Sequence, residues 1–402
     1  MENNILYAQS GGPTAVINSS AYGVFKRALK CDAIDNCYAG CNGIEGILKG
    51  DFVKIDGIDK VSLLLQTPGA AFGSCRHNLK DFNEDESEYL KIVDIFKRFN
   101  IRYFLYNGGN DSMETVLKLS QYFKKINFPC SVLGIPKTID NDLMETDHTP
   151  GYGSASKFIA NTVAEIVCDA KSYFKGRVNI IEIMGRDTGW LTLSSALASK
   201  VGYGPDLIYV PEFEFDIENF RKRVNEIYSE KKHCFVAVSE GIKNKDGNFV
   251  SALSSTDSFG HSQLGGVSQF LASYLTNCGY KTRGIELSLP QRAAAHFISE
   301  TDSEEAVKCG SEAVDFLLEG ETGKMVSIER KSVDKYSVKF SLADITKVGG
   351  KIKYVSEEFY DKEKCFVTDK YFSYASPLIE GECKIKYRDG IVDFFSLENL
   401  EK

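Results

Sequence analysis

What this chain lacks narrows it first. No apolar stretch approaches the roughly 20 residues a membrane-spanning helix needs. The N-terminus carries Glu2 and two asparagines before a short strand-like run, so neither a membrane span nor a secretory leader is expected. Positive charge is not in excess: 48 Lys and Arg stand against 56 Asp and Glu, a balance of −8, which argues against broad binding to nucleic acid or anionic membrane. Any phosphate ligand must then be held by local cations. The eleven cysteines are odd in number, scattered and never spaced as CxxC, a pattern that suits reduced thiols in the cytoplasm. The five histidines, His77, His148, His233, His261 and His296, form no metal-spacing pair and are expected on the surface or on helices. There is no internal repeat or low-complexity tract, and no G-x-G-x-x-G follows the first strand, which weighs against a general nucleotide-binding protein.

What is present is a core-forming composition and a set of glycine turns. At 402 residues, with 43% hydrophobic and 12% aromatic content, two lobes with substantial cores are expected. The apolar run Tyr103–Tyr106 leads into Asn107-Gly108-Gly109-Asn110-Asp111-Ser112, and a helical pattern from Met113 to Phe123 leaves it. That strand, glycine turn and helix order suits phosphate binding, because glycines let backbone N–H groups approach an anion. Ser131–Ile135 likewise ends at Pro136-Lys137-Thr138-Ile139-Asp140-Asn141-Asp142, and Ile5–Ala8 leads into Ser10-Gly11-Gly12-Pro13 before a helix through Ala15, Ile17, Ala21 and Val24. These loops are expected to open at one sheet edge. Further strands are read at 36–39, 178–184, 207–210 and 234–239, with helix-length segments between most of them. Such alternation predicts an α/β fold with a largely parallel sheet covered on both faces. The polar loop 139–153 is the expected crossing into a second lobe, with a return near Pro290. From about Ser327 the pattern changes to short alternating runs such as Tyr336–Phe340, read as an appended α+β tail.

Taken together these motifs resemble the phosphofructokinase family, in order from Ile5 to about Ile328. The matching segments are Ser10–Thr14, Gly73-Ser74-Cys75-Arg76, the Gly108–Ser112 loop, Pro136–Asp142, Met184-Gly185-Arg186, Ser239-Glu240-Gly241 and Pro290-Gln291-Arg292. The resemblance implies two Rossmann-like lobes with the active site in the cleft between them. Residues 1–139 with about 291–326 would form the donor lobe, 140–290 the fructose 6-phosphate lobe, and 327–402 an extension packing on both. Asp111 and Lys137, where ATP-using members typically have Gly, resemble the pyrophosphate-dependent branch. A carboxylate at Asp111 would repel the α-phosphate of ATP, and the Lys137 ammonium would neutralise charge on the transferring group.

Within that resemblance Asp140 is the general base toward the sugar 1-hydroxyl, with Asp142 orienting it or meeting metal-bound water. Arg76 touches the transferring phosphate, while Gly11, Gly12 and Gly109 cradle the diphosphate. Thr138, Ile139, Met184, Gly185, Arg186 and Glu240 contact the sugar phosphate. Arg177, Arg283 and Arg292 fork onto its phosphate, Arg177 and Arg283 from a neighbouring subunit, which implies a homodimer or homotetramer. Mg²⁺ is the implied cofactor and Asn110 its protein contact, although ATP-type members carry Asp there and an amide is the weaker ligand. Either pyrophosphate and water hold the ion, or Asp111 and Asp140 help. Leu289 replaces a family histidine. The implied activity is reversible transfer from pyrophosphate to fructose 6-phosphate, releasing phosphate. Its rivals are an ATP-dependent 6-phosphofructokinase and a non-catalytic paralogue, the latter suggested by Asn110 and Leu289.

Overall fold

The computed structural model describes residues 2–250, 252–256, 262–332 and 335–400. The first part of the chain forms β1 (Asn4–Gln9), α1 (Ile17–Ala28), β2 (Cys37–Gly40), α2 (Gly43–Ile47), β3 (Phe52–Ile55), α3 (Ser87–Arg98), β4 (Ile101–Gly108), α4 (Asn110–Lys125) and β5 (Ser131–Pro136). After α5 (Tyr152–Lys171) come β6 (Val178–Ile183), α6 (Trp190–Ser194), β7 (Leu207–Tyr209), α7 (Ile217–Lys231) and β8 (Cys234–Ser239). The hairpin β9 (Ala252–Thr256) and β10 (Ser262–Leu264) precedes α8 (Val267–Asn277) and β11 (Thr282–Glu286). The chain closes with α9 (Glu300–Leu318), β12 (Lys324–Ser332), β13 (Ser337–Asp344) and α10 (Asp369–Ala375).

Two sheets organise these elements. The first runs β13-β12-β5-β4-β1-β2-β3 and the second β11-β6-β8-β7. All pairs are parallel except the edges β12–β13 and β2–β3. Strand β1 shows why the central strands read as continuous apolar runs. Ile5 and Tyr7 enter one core with α1 and α9, while Leu6 and Ala8 enter the opposite core with α3 and α4. A strand buried on both faces has no polar side to alternate with. The second sheet does the same, Ile181 and Ile183 facing α5 and Val178 and Ile180 facing α7 and α8.

Each central strand expected from the sequence is present. Strands β3 and β11 are additional; both are edge strands with mostly half-exposed residues, so neither carries an unbroken apolar run. Between β11 and α9 the chain returns to the first sheet, where α9 lies against α1 so closely that a Cβ on Gly310 would sit 2.1 Å from the Ser20 carbonyl oxygen. The boundary expected at Ser327 falls inside β12, which extends the first sheet beside β5. Beyond it, Tyr371 and Ala375 of α10 enter the second lobe's core, and Phe395 enters the first.

The loop joining the lobes is held by a buried ionic cluster. His148, expected on the surface or on a helix, is only 1% exposed; its Nδ1 lies 2.7 Å from Asp147 and its Nε2 2.5 Å from Glu305. Asp147 also receives Arg330 at 2.9 Å, and the Tyr336 hydroxyl donates to Glu305. One adjacent carboxylate and one distant one make a charged histidine tolerable inside, and no local spacing announces the distant partner, Glu305. Burial alone would lower the His148 pKa, but Glu305 and Asp147 outweigh it and raise it from 6.5 to about 9. A raised folded-state pKa contributes stability that is complete below the unfolded value and lost as pH climbs through the folded one. The difference in melting temperature between the parent and His148→Gln is therefore expected to be largest near pH 6 and to shrink between pH 6.5 and about 9; calorimetry across that range checks it, and a pH-independent difference would contradict the charged pairing.

Candidate active site

Parallel strands deliver their C-terminal loops to one edge, and β1 and β4 are neighbours from which the sheet order diverges in both directions. Crevices form at such a switch point. Here a cleft of about 850 Å³ opens between the lobes, lined by residues of the loops after β1, β4 and β5, the 75–78 segment, the loop after β6, and Glu240 at the end of β8.

A buried amide network ties the ends of β1 and β4 to the 67–69 segment. Gln9 Nε2 donates to Asn18 Oδ1 at 2.8 Å, Asn107 Nδ2 to the Tyr7 hydroxyl at 2.8 Å, and Asn18 Nδ2 to the carbonyls of Thr67 and Gly69, both at 2.8 Å. The Arg76 loop is tied on by Ser74 Oγ donating to the Gly11 carbonyl at 2.8 Å and by Gly11 N donating to the Cys75 carbonyl at 3.2 Å. Two cationic side chains come close to the turn at Gly11 and Gly12. A Cβ on Gly11 would lie 3.3 Å from Lys137 Nζ, and one on Gly12 would lie 3.3 Å from Arg292 Nη1. The Lys137 ammonium donates to the Gly12 carbonyl, and Gly11 has φ +76, a left-handed conformation that disfavours other residues.

Charge is concentrated in the floor of the cleft. Burial raises the Asp140 carboxyl well above its ordinary value, Asp142 and Glu240 adding to the effect while Lys137 and Arg186 oppose it. Burial likewise raises Asp142 and Glu240. Lys137, 3% exposed, is pushed down to about 8 by burial against the pull of Asp140 and Asp142. Arg292 is lowered by burial and by Arg76. Like charges held out of water thus depend on their opposites.

The sugar-side loop is braced in the same way. Gly185 N donates to Glu240 Oε1 at 3.1 Å, Met184 N to Gln291 Oε1 at 3.0 Å, and Thr188 Oγ1 to the Asp140 carbonyl at 3.1 Å, the last joining the two lobes. Arg186 Nε pairs with Asp187 at 2.8 Å.

The structure brings together most of the expected residues: Gly11, Gly12, Arg76, Gly109, Asn110, Asp111, Lys137, Thr138, Ile139, Asp140, Asp142, Met184, Arg186, Glu240 and Arg292 all line the cleft. Gly185 is buried just behind the wall, with a φ of +138 and only 2.5 Å between a Cβ placed there and the Thr188 carbonyl oxygen. Arg177 and Arg283 lie away from this chain's own cleft. Arg177, at the entry to β6, has its guanidinium 5.4 Å from the Tyr173 ring centroid, and Arg283 lines a separate hollow with Glu165 and Asp169. Sequence reading missed His77, Asn78, Asp187, Thr188, Phe249, Gly350 and Ile352 in the lining. The first four flank recognised motifs and could have been found by extension; Gly350 and Ile352 come from the tail and carry no local signal.

A hard divalent cation fits the oxygen atoms present. Asn110 Nδ2 donates to Asp142 Oδ2 at 3.1 Å, while its Oδ1 is buried with no hydrogen-bond partner, next to carboxylates already destabilised by burial. Among the described residues no three His, Cys, Asp or Glu side chains form a cage, which suits an ion shared with substrate phosphates and water.

A family model described as phosphofructokinase matches residues 4–317. The chain is 38% identical over 397 residues to the pyrophosphate–fructose 6-phosphate 1-phosphotransferase of Halomonas elongata, with 97% of this chain and 95% of that protein covered. It is 41% identical over 410 residues to the protein of the same name from Xanthomonas campestris, covering 99% and 96%. Among solved structures, the pyrophosphate-dependent phosphofructokinase of Nitrosospira multiformis superposes with a TM-score of 0.90 at 37% identity, covering 99% of this chain and 97% of that one.

The charge balance of the cleft can be tested without turnover. Lys137→Met keeps the stem and removes the ammonium, and is expected to weaken inorganic pyrophosphate binding by about 10-fold to 100-fold, the range of one lost charge-assisted contact. Isothermal titration measures it; unchanged affinity would mean that Lys137 does not face the anion.

Proposed function

The chain belongs to the phosphofructokinase family, and on that footing we propose that it catalyses reversible transfer of a phosphoryl group from pyrophosphate to the 1-hydroxyl of fructose 6-phosphate, giving fructose 1,6-bisphosphate and phosphate, a glycolytic step. The observation that carries the choice of donor is an exposed carboxylate, Asp111, in the first turn of α4 and inside the cleft. Free amides at a helix N-terminus ordinarily favour a phosphate. An acidic side chain on that turn competes for the same positive end and repels a nucleotide's chain of phosphates. The smaller donor is left with the Gly11–Gly12 loop, Arg76 and the Lys137 ammonium.

In this reading Asp140 accepts the proton of the 1-hydroxyl as its oxygen forms a bond to the nearer phosphorus, and the bridging P–O bond breaks to release phosphate. The raised Asp140 carboxyl suits a base that must also return the proton in the reverse direction. Lys137, Arg76 and Arg292 oppose charge on the transferring group and the departing phosphate, where fixed electrostatics contributes most. Asn110, Asp142 and Asp140 would hold Mg²⁺, which when bound neutralises phosphate oxygens. Glu240, Met184 and Arg186 orient the sugar phosphate, with Thr138 and Ile139 at the floor. Arg177 and Arg283, pointing away from their own cleft, reach the phosphate bound by a partner copy in a homodimer or homotetramer. The protein is cytoplasmic in this reading, which the eleven free cysteines support; no helix among the described residues is long and apolar enough to cross a membrane.

The direct test is a donor assay on the purified chain: fructose 1,6-bisphosphate forms with pyrophosphate and Mg²⁺, and turnover with ATP alone would overturn the assignment. Asp140→Asn is expected to lower kcat by about 10²-fold to 10⁴-fold with small changes in either KM; a loss below about threefold would remove its role as base. Asp111→Gly is expected to raise the ratio of ATP to pyrophosphate turnover about tenfold or more, the equivalent of about 1.4 kcal/mol of discrimination, and an unchanged ratio would end the exclusion argument.

A further inference from the structure

The segment after β13 crosses from the first lobe to the second directly over the base loop. Gly350 and Ile352 line the cleft, and the next residue, Lys353, is bonded at three points. Its N–H donates to the Asp142 carbonyl at 2.8 Å, and its own carbonyl accepts from Trp190 Nε1 at 2.8 Å. Its ammonium donates to the carbonyls of Asp147 at 2.9 Å and Thr146 at 3.1 Å and reaches Asn141 Oδ1 at 3.5 Å. Asn141, between the two cleft carboxylates, is fully buried in a left-handed conformation with φ 54. It donates to the Tyr374 hydroxyl at 2.8 Å, which in turn donates to the Asp147 carbonyl at 2.8 Å. Two residues on, Val355 N shares Glu212 Oε1 with Gly189 N, both at 2.9 Å, joining the strap to the sugar-side loop. Asn tolerates a positive φ better than most residues, and the Asn141 side chain is fixed there by Thr149 N, which donates to its Oδ1 at 3.1 Å, together with Lys353 and Tyr374. Both lie beyond residues 4–317.

We propose that Lys353 is a positioning residue for phosphoryl transfer: with Tyr374 it clamps the 140–147 loop so that the Asp140 carboxylate stays aimed at the reacting hydroxyl. The inference rests on the reading of Asp140 given above. Misplacing a catalytic group by about 1 Å costs on the order of 10²-fold, so a loosened clamp acts on the chemical step more than on binding.

The test is Lys353→Met, which retains the main-chain bonds and most of the stem, beside Tyr374→Phe, which removes one oxygen. Lys353→Met is expected to lower kcat about tenfold or more with both KM values within about threefold, and to speed amide hydrogen exchange across 138–149. Tyr374→Phe should show the same split, smaller, and the double variant should lose less than the product of the single losses, as members of one network do. If Lys353→Met does not fold, Tyr374→Phe carries the same readouts alone. A kcat within about twofold of the parent, a loss carried by KM, or unaltered exchange in the loop would overturn the proposal. A parent that turns over no pyrophosphate overturns the functional reading instead, while exchange still reports on the clamp.

Discussion

The arrangement depends on mutual compensation of charge out of water. Asp140, Asp142 and Glu240 are each raised by burial, and Lys137 is lowered by it; an unpaired buried ion carries an effective penalty of several kcal/mol. Neither set is tolerable without the other. The backbone takes part as well, since the Lys137 ammonium donates to the Gly12 carbonyl and the left-handed conformation at Gly11 favours glycine there. A phosphorylated ligand entering with negative charge meets cations whose partners are already crowded, which favours its capture. The same crowding leaves Asn110 Oδ1 without a hydrogen bond at the point where a cation would relieve the carboxylates.

Holding such groups against their repulsion needs a rigid frame, and the parallel sheets supply one. Their loops emerge at one edge, where side chains set the backbone: Gln9, Asn18 and Asn107 under the loops after β1 and β4, Gln291 and Glu240 under the loop after β6, and Lys353 with Tyr374 over the 140–147 loop. The bond from Thr188 to the Asp140 carbonyl ties the loop after β6 to the 136–142 segment, so the placement of Asp140 depends on both. The chain's last fifth is part of that frame: β12 and β13 extend the first sheet, α10 packs in the other lobe, and the strap between them reaches the cleft wall.

Two errors of sequence reading share one physical origin. His148 looked like a surface histidine because nothing near it in the chain forecast Glu305, 157 residues away. The break expected at Ser327 followed a change of composition, but an edge pair of strands is half exposed and reads differently from the buried strands it continues.

The sequence alone determined the parallel α/β class, the central strands and the motifs that supply most of the cleft lining, because strand burial on two faces and glycine turns are written in contiguous residues. Tertiary structure decided the rest. It selected which carboxylates share a desolvated floor with Lys137, placed Arg177 and Arg283 outside their own cleft, and carried Lys353 to the 140–147 loop. Those outcomes depend on pairings tens to hundreds of residues apart, and no local pattern encodes a partner's distance or the removal of water that makes the pairing matter.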